Sequence, residues 1–90
     1  MVKTVNIRVR GKVQGVYYRV STVSCAEHLD IAGWVENKND GSVLIHAQGA
    51  EESIQRLIEW AWQGPERAKV DTIDIEEFSA QQYVGFEVRY

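Results

Sequence analysis

Val5, Ile7 and Val9 alternate with Asn6, Arg8 and Arg10. A period of two puts the apolar side chains on one face, which predicts a half-buried first strand. Gly11 to Tyr17 breaks the alternation and reads as a loop. From Tyr18 the spacing changes: Tyr18, Thr22, Cys25, Ala26 and Leu29 fall on one face of a helix, with Ser21, Glu27 and His28 turned away. Ile31 to Asn37 returns to a strand pattern, and Asn39-Asp40-Gly41 predicts a hairpin turn into a third strand carrying Val43, Ile45 and Ala47. Glu51-Glu52 opens a second helix with a core stripe of Ile54, Leu57, Ile58 and Ala61, and Gly64-Pro65 stops it. Val70 to Phe78 predicts a fourth strand, and Phe86, Val88 and Tyr90 alternate in a short last one.

The resulting order, β-α-β-β-α-β plus a short C-terminal strand, is an α+β arrangement. It predicts a ferredoxin-like sandwich: an antiparallel sheet with both helices on one face. Ninety residues without a repeat or linker are expected to form one domain, 1–90. With 44% hydrophobic residues, 26% charged residues and one proline, the chain reads as globular and not disordered. No apolar run is long enough for a bilayer and no secretory core precedes the first strand, so no membrane association is expected. Cys25 is the only cysteine, which excludes an internal disulfide and makes the cytoplasm the expected compartment.

The net charge of −3 conceals a segregation. Residues 1–26 carry Lys3, Arg8, Arg10, Lys12 and Arg19 and no acid, whereas residues 27–90 hold all 13 acids. A concentrated basic segment in an acidic chain is compatible with a localised anion site, and equally with charges that blunt an edge strand. A nucleic-acid groove is not expected, since the acidic remainder would repel a long polyanion.

The first loop runs Gly11-Lys12-Val13-Gln14-Gly15-Val16-Tyr17-Tyr18-Arg19. A glycine-bracketed segment between a strand and a helix can turn its N–H groups toward one point. With the positive helix end, these amides make a cradle for a tetrahedral anion. Arg19 enters in the helix's first turn, where its planar fork can hold two phosphate oxygens. The plainer reading makes the glycines a tight connection and Arg19 a solvated charge. The spacing matches neither a Walker loop nor a dinucleotide fingerprint, so neither nucleotide nor magnesium is implied. Asn37, where the second strand meets its turn, is by itself most simply a turn residue.

Taken together, the two stretches resemble the acylphosphatase family. The likeness rests on Gly11-x-Val13-Gln14-Gly15-Val16-x-Tyr18-Arg19 and on Gly33-Trp34-Val35-x-Asn37 followed by Asp40-Gly41-x-Val43. Gly64-Pro65 and Gly85-Phe86 extend it over essentially the whole chain. The chain departs from the common pattern at Tyr17, where a smaller residue is more usual, and at Tyr18, where phenylalanine is common.

The resemblance implies an enzyme that hydrolyses acyl phosphates to a carboxylate and inorganic phosphate. Its catalytic residues would be Arg19, gripping the phosphate, and Asn37, orienting the attacking water. The phosphate-binding loop would comprise Val13, Gln14, Gly15, Val16, Tyr17 and Tyr18. The expected partner is a small-molecule acyl phosphate, with no cofactor, no metal and a monomeric chain. The alternative is a non-catalytic module of ferredoxin-like fold that binds phosphate or carbamoyl phosphate. A metal set of Cys25, His28 and His46 is a weaker option, because Cys25 falls on the core face of its helix. Trp34, Trp60 and Trp62 read as packing groups.

Overall fold

The computed structural model describes residues 1–80 and 82–90. Its elements follow the predicted order: β1 (Val2–Lys12), α1 (Tyr18–His28), β2 (Ala32–Asn37), β3 (Val43–Ala50), α2 (Glu51–Gln63), β4 (Lys69–Phe78) and β5 (Phe86–Arg89). The sheet order is β4-β1-β3-β2-β5. β1 pairs antiparallel with β3 and β4, and β2 pairs antiparallel with β3. These four strands form the expected antiparallel sheet. The short last strand instead lies parallel to β2, with Gly33 opposite Phe86 and Val35 opposite Val88, so the complete sheet is mixed.

Period-two alternation explains how the layers close. Val5, Ile7 and Val9 of β1, Val35 of β2 and Val43, Ile45 and Ala47 of β3 are buried, and they share a core with Ile54, Leu57 and Ala61 of α2. Tyr18, Thr22 and Ala26 form the buried face of α1, with Cys25 and Leu29 partly buried beside them. The buried Thr22 hydroxyl donates to the Tyr18 carbonyl at 2.8 Å, which satisfies it one turn back. α1 covers β2 and β5, while α2 covers β1, β3 and β4.

The opposite face of the sheet carries Asn6, Arg8, Trp34 and His46. His46 stacks on Trp34 with ring centres 5.3 Å apart, and its Nδ1 meets the Asn6 side-chain oxygen. Burial, followed by the nearby Arg89 charge, pushes the His46 pKa down. Because Cys25 and His28 belong to α1, on the other side of the sheet, they and His46 do not form a metal set. Trp34 and Trp60 are packing groups as expected, but Trp62 is half exposed.

Candidate active site

The loop between β1 and α1 is shaped by two residues with left-handed backbones. Gly15 has φ +75 with open space where a side chain would begin, so its requirement is conformational and not steric. Tyr17, at φ 65, is the residue from which α1 departs. Between them Val16 is buried and anchors the loop to the core, as Val13 does before them. α1 then begins with no side-chain cap and no acidic residue in its first turn. The first amides of a helix have no intrahelical acceptor, so this end keeps both its donors and its positive field.

Gln14 fixes where the loop sits. Its side-chain amide donates to the Lys38 carbonyl at 2.8 Å and to the Ser42 carbonyl at 2.9 Å. Both acceptors flank the β2–β3 turn, so one side chain ties the loop to the hairpin that follows Asn37. The hairpin is itself braced: Asp40 Oδ1 accepts from the Ser42 hydroxyl at 2.6 Å and from the Ser42 N–H at 2.9 Å. Those bonds, the hydroxyl's first, hold the Asp40 pKa below the usual carboxylate range.

Asn37 continues the Gly33–Val35 alternation and therefore lies on the helix side of the sheet, opposite Val43. Its Oδ1 is buried and finds no hydrogen-bond partner among the described residues. Arg19 approaches from α1. Its guanidinium donates to the Arg89 carbonyl at 3.3 Å and lies 4.8 Å from the centre of the Tyr90 ring, a cation–π distance. Arg19 and Asn37 meet in one cavity of about 300 Å³, whose remaining walls are Val13, Gly15, Tyr17, Tyr18 and Val20.

Of the six loop residues expected at a phosphate, Val13, Gly15, Tyr17 and Tyr18 line this cavity. Gln14 and Val16 do not; they hold the loop from outside and beneath. The basic segment also divides. Arg8 Nη1 lies 3.3 Å from Asp40 Oδ2, Arg10 Nε lies 3.5 Å from Asp74, and Lys3 Nζ lies 3.2 Å from Glu77. Arg19 is the only one of the five early cations that lines the cavity. Arg8 and Arg10 alternate out of phase with Val5, Ile7 and Val9, so they occupy the other face of the sheet. Sequence reasoning missed the support of Arg19 by Arg89 and Tyr90, which depends on β5 lying beside β2.

Tyr18 shows how its departure from phenylalanine is accommodated. Its hydroxyl donates to the Ala61 carbonyl at 2.6 Å, and its ring lies 5.3 Å from Trp60. Ala61 is in the last turn of α2, where carbonyls lack helical donors. The hydroxyl thus meets a group that needs a partner, and burial pushes the Tyr18 pKa well up. Gly64 has φ +64, and a Cβ there would stand 2.7 Å from the Tyr18 ring. This glycine both ends α2 and leaves room for the tyrosine.

The acylphosphatase family model matches residues 5–88. The chain belongs to the acylphosphatase family. It is 44% identical over 86 residues to an acylphosphatase from Acidovorax sp. (strain JS42), covering 96% of this chain and 89% of the relative. The crystal structure of acylphosphatase from Bacillus subtilis superposes with a TM-score of 0.95 at 35% identity, covering both chains completely. The acylphosphatase structure from Coxiella burnetii gives a TM-score of 0.94 at 41% identity, over 98% of this chain and 93% of that one. The chain is therefore an enzyme that hydrolyses acyl phosphates, and not solely a binding module. Among the described residues, no helix is long and apolar enough to cross a membrane.

Proposed function

We propose that this enzyme binds the phosphoryl group of a small acyl phosphate through the loop amides of residues 13–18 and the Arg19 guanidinium. In this reading Asn37 orients the attacking water. The observation that carries it is the meeting of Arg19 and Asn37, whose Oδ1 has no partner among the described residues, in one cavity at the uncapped start of α1.

Phosphoryl transfer asks a protein mainly to position the reactants and to stabilise charge on the equatorial oxygens. The amides and Arg19 supply the second function from fixed directions, and the Arg89 carbonyl and Tyr90 ring reduce the freedom of the arginine. Asn37 supplies the first. Its side-chain amide accepts from or donates to a water, aiming the oxygen lone pair at phosphorus. The water oxygen forms the new P–O bond while the bond between phosphorus and the acyl oxygen breaks, and its electron pair leaves on the carboxylate. The acid of that carboxylate has a pKa of about 4, so it departs without protonation. The attacking water's proton passes to a phosphoryl oxygen, and inorganic phosphate is released. Among the described residues the cavity walls include no carboxylate, histidine or lysine, and the Tyr18 hydroxyl is committed to the Ala61 carbonyl, so this reading assigns no general acid.

The test is leaving-group selectivity. Benzoyl phosphate should be hydrolysed well, whereas a simple alkyl phosphate must expel a far more basic alkoxide. General-acid help contributes about 10²–10⁴-fold in such steps. Measured on one preparation, kcat/KM for the alkyl ester should therefore be negligible beside that for benzoyl phosphate. Comparable values would require an acid catalyst and overturn the mechanism.

A further inference from the structure

Tyr17 combines features that the phosphate cradle does not require. Its backbone is left-handed at φ 65, an uncommon state for an aromatic residue. The residue is 79% exposed; its carbonyl accepts from the Ser21 N–H, but its side chain makes no hydrogen bond among the described residues. It walls the Arg19–Asn37 cavity and also borders an adjoining depression of about 370 Å³ that it shares with Val16, Pro65, Glu66 and Arg67. Val20, 61% exposed, stands on the same cavity wall. A loop built only to present amides to phosphate would be served by a small residue at this position.

We propose that Tyr17 forms an acyl-group subsite, favouring aromatic and bulky apolar acyl phosphates over small ones. The inference rests on the acyl phosphate reading of the cavity. With the phosphoryl group held by the amides and Arg19, the acyl part must leave the cavity across one of its walls. Tyr17 is the wall that continues into a second depression. An exposed ring and an exposed valine recover free energy when an apolar group covers them, and an aryl group can stack on the tyrosine face. A polar or very small acyl group gains little there. The contact forms in the bound substrate and persists in the transition state, so it should act on KM more than on kcat.

The experiment measures kcat/KM for benzoyl phosphate and for acetyl phosphate in the wild type, Tyr17→Gly and Tyr17→Phe. Glycine adopts the same left-handed backbone without strain, so Tyr17→Gly removes the ring and spares the loop's geometry. Comparing the benzoyl-to-acetyl ratio between proteins cancels the difference between the two carboxylate leaving groups. In Tyr17→Gly the ratio should fall about three- to tenfold, chiefly through KM for benzoyl phosphate. Tyr17→Phe should retain the wild-type ratio. Equal losses on both substrates would assign Tyr17 to loop shape alone, and that or an unchanged ratio would overturn the subsite while leaving the acyl phosphate reading intact. A wild type that hydrolyses neither compound would overturn both.

Discussion

Helices α1 and α2 each begin without a side-chain cap, yet their first turns are furnished in opposite ways. α2 carries Glu51 and Glu52 there, and its first N–H donates to the Met1 carbonyl at 3.0 Å. α1 carries no acid, and the charged residue in its first turn is Arg19. Placing a cation at the positive end of a helix is unfavourable, by about 0.3–1 kcal/mol at an exposed site. The two helices are close in length, at 11 and 13 residues, and neither has a side-chain cap, so the contrast separates two uses of one physical feature. At α2 the field is neutralised from within and adds stability. At α1 it is left open, and an arginine reinforces it where the proposed function holds a dianion.

Arg19 offers the most severe way to break this contrast. Arg19→Lys keeps the charge but removes the planar fork and the guanidinium surface that Tyr90 supports. A fall of at least roughly a hundredfold in kcat/KM is expected, the size associated with losing one fixed donor to a transition-state oxyanion. Near-normal activity in folded Arg19→Lys would show that charge at the helix start is sufficient. Asn37 is expected to come next. If its side chain addresses water and not the cradle, Asn37→Ala should lower kcat by roughly tenfold or more while leaving inhibition by inorganic phosphate nearly unchanged. Weakened phosphate inhibition with preserved kcat would instead make Asn37 a phosphate ligand.

Much of this arrangement was legible because it depends on local periodicity. Alternation located β1 and β3, helical spacing selected Ile54, Leu57 and Ala61, and the resemblance pointed to Arg19 and Asn37. What escaped was set by faces and by distant pairing. A linear count placed Arg8, Arg10 and Arg19 in one basic segment, although strand alternation sends the first two through the sheet, to Asp40 and Asp74. The direction of β5 could not be read from four residues, because a short strand's own pattern is the same in parallel and antiparallel pairing. The Arg89 carbonyl beneath Arg19 was hidden with it. Gln14 was legible as part of a motif, but its work on Lys38 and Ser42 becomes visible only once loop and hairpin are side by side.

The two helices also touch at opposite poles, where Tyr18 makes the contact. Its hydroxyl, at the start of α1, completes the Ala61 carbonyl at the end of α2. Tyr18→Phe keeps the ring against Trp60 but leaves that carbonyl without its donor. A loss of about 1–2 kcal/mol is expected, from one buried bond and the acceptor it strands. In urea the midpoint should drop with the slope unchanged, since the surface exposed on unfolding is hardly altered. An unshifted midpoint would mean that water or a relaxed last turn satisfies Ala61 equally well.

Glu52 gives the smallest effect and the cleanest test of the contrast, because it can be altered away from the site. Glu51 is less suitable, since it also lies 3.9 Å from Lys3 Nζ. Glu52 is exposed and in the first turn, so Glu52→Gln removes its charge and keeps its shape. If α2 uses its positive end for stability, the substitution should cost about 0.3–1 kcal/mol at low ionic strength, and added salt should shrink the difference. Because α2 adds no wall to the Arg19–Asn37 cavity, kcat and KM for benzoyl phosphate should stay at their wild-type values. Unchanged stability at low salt would mean that the Met1 carbonyl and solvent already neutralise this end, and the acids would then be bystanders. A change in KM at unchanged stability would couple α2's charge to the phosphate cavity, and the division between a helix start for folding and a helix start for substrate would fail.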